Sequence, residues 1–162
     1  LTTQPISLKD RLSELRQQAQ EEHTFDLSVP GYENVLVARY RSLSYRDQRK
    51  IGQRHENEKD QIELELNVAA DMLITACQAV LAKNDDGSLV EIGKWNVQTA
   101  QEQFGVDFGD HAGTATARQA ITSILSDTNL MRHFADWLVA TTDVNQKVDE
   151  VVQGESEPSL EG

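Results

Sequence analysis

Cysteine is almost absent. Cys77 is the single one in 162 residues, so a disulfide within the chain is impossible and a zinc site built on cysteines lacks its ligands. Prolines number three and aromatics make up 6%. No apolar run approaches the length of a membrane span, and the first residues lack the apolar core of a secretory signal. These absences point to a cytosolic protein. Positive charge is also scarce, with 15 basic against 27 acidic residues and a net charge of −12. Such a balance disfavours nucleic acid and anionic membranes as partners.

What is present suits a folded domain. The length supports one domain with a modest core, and 38% hydrophobic with 26% charged residues is a globular composition. Charge is uneven. Residues 1–81 hold 10 basic and 13 acidic residues, net −3, whereas residues 82–162 hold 5 and 14, net −9. The acidic second half fits a basic or hydrophobic protein partner.

Along the chain, Ser7 and Asp10 form the signature of a helix start, and Leu8, Leu12, Leu15 and Ala19 recur at helical spacing. This thin apolar stripe makes residues 1–23 a helix that docks on the body, pairs with a partner, or frays and moves freely. Phe25, Leu27 and Val29 alternate with polar residues, Pro30-Gly31 supplies a type II turn, and "VLVARYR" at 35–41 is extended again. A hairpin with a loop of about five residues is expected. Ser44 and Asp47 open a polar helix that runs to about Gly52. Ile62, Leu66, Ala69, Leu73, Ala76, Cys77 and Val80 predict one long helix through residue 80.

"KNDDGSLVEI" at 83–92 reads as a turn and a short strand, and residues 98–106 as a short helix stopped by Gly105. Thr116 with Gln119 opens another helix. Asp127 or Thr128 caps the last one, which Val144, Val148 and Val151 extend. From Gly154 onward periodicity stops, and residues 153–162 read as a disordered acidic tail. The expectation is a mainly α protein of the α+β class: a helical domain over residues 24–152 with a β-hairpin near its front.

Catalytic and metal chemistry find little support. No GxSxG, phosphate loop or GxGxxG occurs. His55, Glu56 and Glu58 do not return to one helix face, as metal ligands on a helix must. "NDDG" at 84–87 lacks the alternating ligands of a calcium loop. "DFG" at 107–109 has no lysine strand or catalytic loop beside it. No catalytic residue, metal or cofactor is expected. The candidate residues are those of a protein interface. Arg39, Arg41, Arg46, Arg49, Lys50 and Arg54 stand against Asp47 alone over residues 39–54. Three readings stand: a docking patch for an acidic partner, a contact with the acidic half of the same or another subunit, or a solvated face. Tyr40 and Tyr45 flank the cluster and read first as packing residues, with Tyr40 kept beside Arg39, Arg41, Arg46, Arg49 and Trp95 among the candidate interface residues. Trp137 and Cys77 read as core, and Trp95 as core or an interface anchor.

"VPGYENVLVARYRSLSYRDQRKI" at 29–51 resembles the front of the tail assembly chaperones of long-tailed bacteriophages, especially phages of actinobacteria. "NVAADMLITACQAV" (67–80), "ATARQAITSIL" (115–125) and "ADWLVAT" (135–141) are similar to later segments of that family, in the same order. The resemblance covers roughly residues 24–141. It implies a non-catalytic protein that coats the tape-measure protein, helps tail-tube subunits polymerise around it, self-associates, and stays in the host cytoplasm, absent from the mature virion. It also implies a longer frameshifted form in many members. Arg39, Tyr40, Arg41 and Trp137 occupy matching positions, and the resemblance assigns them no binding role. Two alternatives remain: a tail or head-completion component retained in the particle, and a small cytosolic enzyme or regulator.

Overall fold

A computed structural model describes residues 6–156. Six α-helices accompany a four-stranded antiparallel sheet, which makes the chain an α+β protein. The elements are α1 (Leu8–Glu22), β1 (Phe25–Ser28), β2 (Leu36–Tyr40), α2 (Tyr45–Arg54), α3 (Gln61–Ala76), β3 (Cys77–Lys83), β4 (Leu89–Gly93), α4 (Val97–Phe104), α5 (Ala117–Ile124) and α6 (Asp127–Ser156). A 3-10 turn at Gly109–His111 precedes α5.

The front hairpin forms as its sequence predicts. Gly31 takes φ 87°, and the Tyr32 N–H donates to the Val29 carbonyl at 2.9 Å. That is the type II turn for which Pro30 and Gly31 are suited. The link between the strands, residues 29–35, is longer than expected. β1 pairs with β2 from Phe25↔Tyr40 to Ser28↔Val37.

The sheet has one strand more than expected from sequence: the short strand within 83–92 is β4, and β3 is the addition. The helix predicted through Val80 stops at Ala76, and Cys77 begins β3. β3 runs down the middle of the sheet in the order β1-β2-β3-β4. A central strand buried on both faces is apolar without alternation, so "CQAVLA" extends a helical pattern by coincidence. Cys77 and Val80 join the main core, whereas Ala79 and Leu81 pack with Val37 on the opposite face. Cys77 is therefore core, as expected, but in a strand.

One face of the sheet carries the helices. Leu36, Ala38 and Tyr40 from β2 meet Leu73 and Ala76 of α3, Ile121 of α5 with Leu125 just past its end, and Leu130 and Trp137 of α6 in one core. Trp137 is fully buried, in keeping with its apolar helical setting.

The helix starts follow local chemistry. Ser44 Oγ accepts from the Asp47 N–H at 3.1 Å, and Thr116 with Gln119 forms a reciprocal capping box. Gly105 ends α4 in the left-handed region. At α6 the cap differs from the expectation. Asp127 is already helical, and Ser126 Oγ accepts from the Asn129 N–H at 3.3 Å. Gly154, Glu155 and Ser156 belong to the last turn of α6, not to an irregular tail. The rest of the predicted tail, 157–162, lies outside the described residues, as do the side chains of Ala19, Val148 and Val151. α1 packs against α6.

Candidate functional site

The predicted interface residues do not form one surface. Tyr40 is fully buried and Trp95 nearly so. Both are core, and neither offers area to a partner. Arg39 lies on the sheet face away from the helices. Its Nε donates to Asp26 Oδ1 at 2.8 Å and its Nη2 to Asp26 Oδ2 at 3.0 Å across the β1–β2 ladder. This hydrogen-bonded pair raises the arginine pKa. Arg41 is half-buried, and its Nη1 donates to the Ser42 carbonyl at 3.4 Å. The arginines of the "RYR" strand are thus engaged within the fold.

The basic residues of α2 are different. Arg46, Arg49, Lys50 and Arg54 are all exposed, and none has an ion pair among the described residues. Tyr45, read from sequence as a packing residue, is 77% exposed at the start of the same helix. Only Ile51 of α2 is buried, so one narrow face anchors the helix and the remainder is open.

Beside α2 lies an apolar slot of about 320 Å³, lined by Gly52, Leu64, Glu65, Val68, Met131 and Phe134. Its origin is geometric. α2 and α6 each pack on α3 and scarcely touch each other. Leu64 and Val68 of α3 therefore form a floor between two walls. Tyr45, Arg49 and Gly52 follow at steps of four and three on α2, as do Met131, Phe134 and Leu138 at steps of three and four on α6. Nothing lies within 4 Å of where a Cβ on Gly52 would sit, so the α2 wall is low. Phe134 stacks on Trp137 at a centroid distance of 5.9 Å, which fixes the far wall to the core.

Two polar clusters hold this frame. In the first, the Trp95 indole N–H donates to Tyr40 Oη at 2.8 Å, and Tyr40 Oη lies 2.7 Å from His133 Nε2. Burial lowers the His133 pKa to about 4 and drives that of Tyr40 well above its usual value. Both are neutral near pH 7. If the tyrosine hydroxyl donates to Nε2, His133 Nδ1–H alone is left unpaired; the opposite direction orphans the hydroxyl proton as well. The first assignment wins because each buried orphan costs about 1–3 kcal/mol. In the second cluster, Asp71 of α3 accepts from Arg118 Nη2 at 3.0 Å and bonds His55 at the end of α2. It ties α2, α3 and α5 together. A histidine–carboxylate contact suits proton transfer in some settings, but here the arginine occupies the carboxylate and the cluster acts as a brace.

Sequence reasoning missed the slot. Leu64 and Val68 repeat at a step of four beside the main stripe of α3, which was the available signal. Asp71, alone in an apolar helix stretch, was the signal for the brace.

No group of three metal-ligating side chains is close enough to hold an ion among the described residues. No helix among them is long and apolar enough to cross a membrane. Comparison with protein-family models, with curated proteins and with solved structures returned no match.

Proposed function

We propose that this chain is a tail assembly chaperone of a long-tailed bacteriophage. It binds the tape-measure protein without catalysis, promotes assembly of the tail tube around it, works in the host cytoplasm and is absent from the finished particle. The observation that carries this reading is the open apolar slot between α2 and α6, with exposed, unpaired cations on α2, the helix that supplies Gly52 to its lining. A binding module needs such a surface, and a chaperone needs one that accepts apolar segments before their final partner does. The family resemblance supports the same reading. Its four segments fall on the turn after β1 with β2 and most of α2, on the later part of α3 with the start of β3, on α5, and on α6. These elements build the frame of the slot.

Net charge adds a role for the rest of the surface. At −12 the chain repels copies of itself in bulk, so a complex coated with it stays dispersed.

The alternative of a structural tail component is separated by quantifying the protein in infected cells and in purified particles. A chaperone is abundant in the cell and missing from the particle. Stoichiometric retention in the particle establishes the structural reading instead.

A further inference from the structure

We infer that the slot between α2 and α6 takes an amphipathic α-helix of a partner protein, with acidic residues along the edge that faces α2. The inference rests on reading this chain as a binding protein for an unassembled client, and it specifies the chemistry of the segment bound.

The shape argues for a helix. α2 and α6 lie on α3 and leave a gap between them, the place a further helix fills in a bundle. The helical face of α2 that contributes Gly52 runs back through Arg49 to Tyr45, about 10 Å at the helical rise per residue. Two turns of a partner helix match that length. On the opposite side Met131 and Phe134 line the slot and Leu138 follows one turn on, a step-three, step-four spacing against which a partner's apolar stripe interdigitates. Leu138 remains 37% exposed and Tyr45 77% exposed. Beyond the lining residues, each of the two helices thus carries exposed apolar area.

Charge argues for the polarity of the occupant. On the α2 side, Arg49 stands one helical turn before the lining residue Gly52, and Arg49, Arg46, Lys50 and Arg54 are exposed without ion pairs among the described residues. On the α6 side, Ala135 and Leu138 are uncharged. Glu65 is the one acidic residue in the lining, on α3. A helix with aspartate or glutamate toward α2 gains contacts that a basic one does not. Charge at a rim sets partner choice and on-rate more than total affinity.

The test uses the full chain and designed peptides of roughly four helical turns. One has a leucine stripe and a glutamate edge. A second has the same stripe and a lysine edge. A third is scrambled. Binding is read by fluorescence anisotropy at low and high salt. The expected result is that the glutamate-edged peptide binds about ten-fold tighter than the lysine-edged one, with the gap narrowing at high salt. R49E with K50E erases the preference, and Leu138→Glu weakens both peptides. Both changes are at exposed positions, and unchanged circular dichroism verifies folding. Equal binding of the two edges overturns the inference, as does binding unaffected by Leu138→Glu. Dimerisation of the chain that Leu138→Glu abolishes also overturns it, by assigning the slot to a second copy. No peptide binding in a chain that still solubilises its client overturns the slot and leaves the chaperone reading intact. Selective peptide binding in a chain without effect on the client does the reverse.

Discussion

Tyr40 Oη lies 2.7 Å from His133 Nε2, and neither side chain reaches solvent. This contact joins the middle of the sheet to α6, across 93 positions of sequence. Trp95 closes it from the β4–α4 connection by donating to the same oxygen. The wall of the slot depends on it, because Met131 and Phe134 flank His133 on α6.

The first prediction is a pH dependence. Burial lowers the His133 pKa to about 4, whereas the unfolded chain titrates near the ordinary 6.5. Between these values the unfolded state binds more protons. The contribution is therefore complete above pH 6.5 and is lost as pH falls toward 4. About 2 kcal/mol of stability should disappear from pH 7 to pH 5 on this account. His133→Gln should flatten that part of the profile in urea titrations. A variant with the same slope as the wild type would show that His133 is not its source.

Tyr40→Phe should cost about 1–3 kcal/mol, because it leaves the Trp95 N–H and His133 Nε2 without a buried partner. Trp95 fluorescence in the folded state should change as well. A variant as stable as the wild type would mean that water replaces the hydroxyl.

Gly93→Ala should be severe for a one-carbon change. Gly93 has φ +145°, and an added Cβ would stand 2.1 Å from Thr99 Oγ1. Thr99 is buried and its Oγ1 accepts from the Lys94 N–H, so it cannot swing away freely. A loss of about 2–4 kcal/mol is expected from strain and overpacking. Denaturant midpoints within experimental error of each other would contradict the packing described at the end of β4.

Cys77 offers a chemical check. Burial pushes its thiol up to about 11, so little thiolate exists at pH 8. A thiol-specific disulfide reagent should fail to label the native chain and label one group after denaturation. Rapid native labelling would place Cys77 at the surface rather than at the α3–β3 junction.

Local chemistry made much of the fold legible. The Pro30-Gly31 turn, the Ser44 and Thr116 caps and the Gly105 stop all depend on neighbours within a few residues. The α3–β3 junction was not legible, because Val80 extends a helical apolar spacing by chance and only pairing with Ala38 decides its state. The basic cluster shows the same limit at the level of the site. Arg39 and Arg49 look equivalent in sequence. Asp26 pairs the first from 13 positions away, and nothing among the described residues pairs the second. The slot required α2 and α6 to meet the same helix, which is a property of tertiary packing alone.

The most direct measurement is co-expression of this chain with the tape-measure protein encoded near it, followed by solubility and co-purification. The account predicts that the client is soluble only when this chain is present and elutes with many copies of it. A client equally soluble alone, with this chain eluting separately, would contradict the chaperone reading.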